Sequence, residues 1–151
     1  MILTKEFYMN KALIQAYKAQ MLDEVPVGAI IVYQDVIIAS AFNQREKKKK
    51  ATAHAELSCI EKANKIFGDW RLTNCDLYVT LEPCPMCIGA AINARISNIY
   101  FGAFDLQSGC CGSKINIAQL NLCNHTPHIE GGILENECKS MLQNYFKKIR
   151  K

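Results

Sequence analysis

Apolar positions recur at three- and four-residue intervals over residues 6–21, directly after Thr4, whose hydroxyl suits a helix N-cap; the chain therefore opens with a helix. Two runs rich in β-branched residues follow, 27–33 and 36–42, separated by Gln34-Asp35. They predict a hairpin, although its turn lacks the glycine that usually marks one. Residues 52–66 read as a second helix ended by Gly68. Residues 77–81 form a short buried strand, Pro85 suits the first position of a helix reaching about residue 94, and residues 99–101 are a further strand. Residues 102–128 carry no sustained rhythm beyond a short helix near 115–120. Cys138, Met141, Leu142, Tyr145, Phe146 and Ile149 then recur at helical spacing, with Lys147, Lys148, Arg150 and Lys151 at the C-terminal end of that closing helix.

Strands alternating with helices imply a sheet covered on both faces, a three-layer α/β/α sandwich, and the opening hairpin makes part of the sheet antiparallel. With 151 residues, half of them apolar, and no repeat or linker, the expectation is one domain over residues 1–151.

Charge changes this picture little. Lys and Arg exceed Asp and Glu by four, an excess that permits a nucleic-acid partner without demanding one. Lys47, Lys48, Lys49 and Lys50 concentrate part of it in one run. The N-terminal residues carry Lys5, Glu6 and Lys11 and no long apolar stretch, so neither a secretion signal nor a membrane span is expected, and a cytoplasmic location is the default. In that setting the eight cysteines read as reduced thiols or metal ligands rather than bridges. Cys59 and Cys138, on helical stretches, are expected to pack as small hydrophobes.

Two segments carry chemistry: Thr52-Ala53-His54-Ala55-Glu56 and Glu82-Pro83-Cys84-Pro85-Met86-Cys87, each at the start of a helix. Cys84 and Cys87, three apart across a helix start, can turn both sulfurs toward one metal, and the helix dipole favours their thiolates. His54 adds an imidazole. Two Cys and one His suit Zn²⁺, one ion per chain, with the fourth tetrahedral position left to water. Glu56, two residues beyond His54, is placed beside the metal without binding it, where a carboxylate can take the water's proton and pass it to a ring nitrogen. A structural zinc closed by Cys110 or Cys111 is the competing reading. H-x-E followed by P-C-x-x-C is, however, the signature of zinc-dependent deaminases, which favours catalysis.

The chain resembles the bacterial tRNA-specific adenosine deaminases, of the cytidine deaminase-like superfamily. The resemblance runs through Glu24-Val25-Pro26-Val27-Gly28-Ala29, Asn43, the His54 and Cys84 segments, Trp70-Arg71-Leu72, Phe101-Gly102-Ala103, Asp105, Gly112-Ser113, Asn124-His125 and Gly132-Ile133-Leu134. It implies a mixed sheet of about five strands, zinc on His54, Cys84 and Cys87, and Glu56 as proton shuttle. Asn43, Asp105 and Asn124 become expected substrate contacts. It also implies conversion of adenosine to inosine at the wobble position of a tRNA anticodon loop, by a homodimer. Ala51 stands where the family often has Pro and Gln107 where it often has Lys; neither touches the expected metal.

The lysine run precedes His54 and lies where it can steer an RNA backbone. A small-molecule deaminase acting on guanine or a cytidine compound would use the same zinc chemistry without a basic rim. A zinc-stabilised binding module would leave Glu56 unexplained.

Overall fold

A computed structural model describes residues 2–149. Its elements in chain order are helix α1 (Lys5–Met21), strands β1 (Gly28–Tyr33) and β2 (Val36–Phe42), helices α2 (Arg45–Lys48) and α3 (Ala55–Phe67), strand β3 (Cys75–Leu81), helix α4 (Pro85–Asn93), strand β4 (Asn98–Ala103), strand β5 (His128–Glu130) and helix α5 (Glu135–Ile149). Two 3-10 turns, Ile117–Leu120 and Leu122–Asn124, precede β5. Arg150 and Lys151, expected at the end of the last helix, lie outside the described residues.

The sheet runs β2-β1-β3-β4-β5. β1 is antiparallel to both β2 and β3, whereas β3, β4 and β5 are mutually parallel, so the sheet is mixed. The β1–β2 turn solves the missing-glycine problem with Gln34 and Asp35, both at positive φ (49° and 65°), as a two-residue hairpin of type I′ requires. α1 starts as expected, with the Phe7 N–H donating to Thr4 Oγ1 at 3.1 Å. Its small inner face of Ala12, Ala16 and Ala19 lets it sit close to β1. At Gly28 a Cβ would collide with the Ala12 carbonyl and the Ala16 nitrogen, so only glycine allows that approach.

The layers follow from side-chain parity. Tyr8 of α1 stacks on Tyr78, which stacks on Tyr100; two residues along β4, Gly102 faces Cys138 of α5. α1 and α5 thus share one face, and α3 with α4 covers the other. Every residue of β1 except Tyr33 is buried, as expected of a strand covered on both sides. Cys59 and Cys138 pack in this core as small hydrophobes, their thiols pushed up by burial, Cys138 to about 12.

Three elements depart from the sequence expectation. The lysine run, which falls between the predicted second strand and second helix, begins inside the one-turn helix α2. α3 starts at Ala55 rather than near residue 52, because Thr52-Ala53 belongs to a turn and His54 is the N-cap. β5 begins at the last residue of the stretch expected to be irregular and continues where no element is expected; three residues are too few to show a period, and pairing with β4 alone makes it a strand.

Candidate active site

The sheet topology brings four chain segments to one end: the start of β1, and the ends of β2, β3 and β4. The pairings Gly28↔Phe42 and Leu81↔Ala103, and the Gly28 N–H donated to Thr80 Oγ1 at 3.2 Å, tie these ends together. Beyond them lies a cavity of about 350 Å³, at the small end of the roughly 300–1,000 Å³ range of ligand sites. His54, Glu56, Cys84, Asn43, Arg45 and Asp105 all line it.

His54 and Cys84 are the N-cap residues of α3 and α4, and Cys87 lies in the first turn of α4. Pro85 at the first helical position costs no hydrogen bond there, since that N–H has no intrahelical partner. Nδ1 of His54 lies 3.7 Å from Sγ of Cys84 and 3.5 Å from Sγ of Cys87. All three ligand atoms fall within 4.8 Å of one another. Tetrahedral zinc with bonds of about 2.3 Å to sulfur and about 2.0–2.1 Å to nitrogen separates those atoms by about 3.5–3.6 Å, so the donor set fits such an ion. Neither Cys110 nor Cys111 joins this cluster, although both are buried; a metal closed by four Cys and His side chains is therefore not formed among the described residues.

The electrostatics suit a cation. Hydrogen bonds from Cys87, then from His54, hold the Cys84 thiol down at about 4. The same bond to Cys84, together with burial, pushes the Cys87 thiol up. The hydrogen bond to Cys84 raises His54. Glu56 is buried and stands outside the ligand cluster; burial raises its carboxyl to about 7, against the lowering pull of its own backbone N–H and of His54. A carboxyl poised there can hold or release a proton near neutrality.

Two walls flank this corner. On one, Asn43 donates through Nδ2 to the Val25 carbonyl (3.2 Å) and accepts the Arg45 N–H at Oδ1 (3.2 Å). It is at once a turn residue and a cavity residue, and one amide hydrogen is left for a ligand. On the other wall, Asp105 Oδ1 accepts the N–H groups of Gln107 (3.0 Å) and Ser108 (3.1 Å). Its second oxygen has no hydrogen bond among the described residues. Asn124 is not brought to the cavity: it is exposed in the second 3-10 turn, whose Cys123 Sγ lies 3.5 Å from Asn93 Oδ1 at the far end of α4 from Cys84.

Sequence reasoning left three residues of this site without a role. Arg45 lines the cavity with an exposed guanidinium that forms no ion pair with a described residue. Glu24 and Glu82, 1% and 2% exposed, grip the two walls from behind. Glu24 accepts the N–H groups of Glu46 (3.1 Å) and Lys47 (2.7 Å), anchoring α2, and Glu82 accepts from residues 105–113. The available signal was an acidic residue at each end of a buried apolar run, where an exposed charge is not expected.

The sequence pattern of the MafB19-like deaminases matches residues 3–150. A tRNA-specific adenosine deaminase of Bacillus subtilis is 46% identical over 146 residues, covering 97% of this chain and 91% of that protein. A solved structure described for A-to-I editing by tRNA:A34 deaminases at the wobble position superposes with a TM-score of 0.86 at 39% identity, covering 89% of this chain and 98% of that one. A guanine deaminase structure from Bacillus subtilis is 36% identical with a TM-score of 0.65, over 68% of this chain and 66% of its own.

Proposed function

The chain belongs to the family of tRNA-specific adenosine deaminases, within the MafB19-like deaminases, and from that membership we propose that it hydrolyses adenosine to inosine at the wobble position of a tRNA anticodon loop, with one zinc ion held by His54, Cys84 and Cys87. The observation that carries this reading is that one cavity, sized for a single nucleoside, is lined by His54 and Cys84 of a three-residue cluster completed by the buried Cys87, and by a buried carboxyl outside that cluster. Zinc bound there would supply activated water at neutral pH. Glu56 takes one proton from water as the water oxygen bonds to C6 and delivers it to N1 of the purine; it then moves the proton of the new C6 hydroxyl to the amine, whose bond to C6 breaks to release ammonia. Asn43 orients the base or ribose through its remaining amide hydrogen, and Asp105 through its unbonded oxygen. Arg45 on the cavity wall, with the exposed lysine run that follows it in the chain, draws the RNA backbone toward the cavity.

An anticodon loop presents an unpaired base that can be splayed into such a pocket without melting a duplex. A tRNA substrate implies a cytoplasmic enzyme; among the described residues no helix is long and apolar enough to cross a membrane. We also propose a homodimer, supported by the family resemblance, with sedimentation at micromolar protein as its check; a lone monomer overturns it. Guanine deamination is the second reading, favoured by the similarity to the guanine deaminase structure. Inosine formation in an anticodon stem-loop bearing adenosine at the wobble position, measured beside guanine, cytidine and free adenosine, separates them. Conversion of guanine with no conversion of the stem-loop would overturn the proposal.

A further inference from the structure

Residues 105–113 supply one wall of the cavity through Asp105, Gln107 and Ser108, yet they contain no helix and no strand beyond an isolated bridge from Cys111 to Asn116. One buried side chain gathers both ends of this segment. Oε1 of Glu82 accepts the Asp105 N–H at 3.0 Å, and Oε2 accepts those of Cys111 and Ser113, each at 3.0 Å; the Ser113 hydroxyl donates to Oε1 as well. The backbone on either side of Glu82 extends the grip: its own N–H donates to the Ala103 carbonyl at 2.9 Å, and the Cys110 N–H donates to the Pro83 carbonyl at 3.0 Å. The loop folds so tightly over the carboxylate that a Cβ at Gly109 would collide with it and with the Asp105 carbonyl.

No Lys, Arg or His among the described residues pairs with Glu82. Burying a carboxylate without a cation is costly, and here only directed donors compensate it. A neutral amide could not substitute: its NH₂ would face N–H groups that need an acceptor. The arrangement is thus specific to an acceptor with two oxygens.

Asp105 is consequently held at two points, by its backbone N–H on Glu82 and by its Oδ1 on Gln107 and Ser108, which fixes where its free oxygen stands. Two residues along the chain from Glu82 is the N-cap Cys84, so the same strand end carries a metal ligand and the anchor of the opposite wall. We propose that Glu82 is a positioning residue for substrate: through the backbone of residues 105–113 it sets Asp105 against the bound nucleoside, at a fixed offset from the metal corner. This rests on the proposed function.

The test is a double-mutant cycle between Glu82→Gln and Asp105→Ala, read by steady-state kinetics on the anticodon stem-loop, with zinc content and amide hydrogen exchange measured on the same proteins. Each single substitution is expected to raise KM about tenfold, with zinc content unchanged and kcat within about threefold. The double variant should be no more than about twofold worse than Asp105→Ala, because Glu82 acts through Asp105. Amides of Asp105, Cys111 and Ser113 should exchange faster in Glu82→Gln while those of α3 do not. An unchanged KM, single effects that multiply to about a hundredfold, or loss of zinc would each overturn the inference. Where Glu82→Gln does not fold, Ser113→Ala removes one donor and leaves the carboxylate; it should raise KM about threefold, again without multiplying with Asp105→Ala, and an unchanged KM overturns the inference. If the unsubstituted chain leaves the stem-loop unconverted, the proposed function falls. If it converts the stem-loop and Glu82→Gln keeps the same KM, only the inference falls.

Discussion

The metal corner and the two walls of the cavity are built by opposite means. His54, Glu56, Cys84 and Cys87 are set by two helix starts, and each pair of functional residues is separated by two or three positions along the chain. Once α3 and α4 form, the geometry within each pair is nearly complete. The walls have no such local frame. Asn43 is tied to the Val25 carbonyl and the helix that begins at Arg45 to Glu24, each about twenty residues earlier, and Asp105 to Glu82, twenty-three residues earlier. On the proposed function the corner would supply the reaction and the walls would decide what is presented to it. A protein built this way can alter substrate choice through its loops while its chemistry stays in place.

That contrast can be broken from the corner first. Cys87→Ala is expected to abolish both zinc binding and turnover, since two ligands do not hold the ion; metal analysis showing full occupancy would end the assignment. Glu56→Gln should retain zinc and the fold while lowering turnover by roughly 10²- to 10⁴-fold, as removal of a proton shuttle does. Single-turnover rates near those of the unsubstituted chain would take Glu56 out of the chemistry.

Substitution of the walls should act more mildly and mainly on binding. Glu24→Ala frees the Glu46 and Lys47 N–H groups from their shared acceptor, and thermal or denaturant unfolding should report a loss of about 1.5–3 kcal/mol. KM should rise severalfold, with zinc content intact; a change in kcat alone would contradict the division between corner and walls. The smallest effect is expected from replacing Lys47, Lys48, Lys49 and Lys50 by Gln. All four are exposed, but α2 ends within the run and Lys49 turns to positive φ, so the four ammonium groups do not line one strip of surface. Two phosphate contacts are expected, lowering the log–log salt dependence of tRNA binding by about 0.7 for each. A slope like that of the unsubstituted chain removes the steering role, and a loss equivalent to four contacts contradicts the geometry of α2.

The same division governs what could be read from the sequence. Residue spacing sufficed for α1, the hairpin, α4 and α5, because apolar rhythm, caps and turn residues act within a few positions. It sufficed too for bringing His54, Cys84 and Cys87 into one cluster able to hold a metal ion, since P-C-x-x-C and H-x-E carry their geometry in one helical turn each. It failed for α2, whose charged residues show no rhythm and whose turn is anchored by a distant carboxylate, and for β5, which has only its neighbour to define it. Asn124 matched the family motif, yet it lies at the foot of α4, away from the cavity.

The sequence alone determined the corner's components: which side chains can bind a metal, and which carboxylate stands next to them. Only the tertiary structure decided that Glu24 and Glu82 are buried, that each is satisfied by backbone N–H groups rather than by a cation, and that Asn43 and Asp105 therefore face one cavity. The physical reason is range. Helix caps and dipoles decay within a turn, so they leave a local trace in the sequence. A buried carboxylate that collects donors from a loop 23 to 31 residues away becomes a feature only after the sheet has brought the two together.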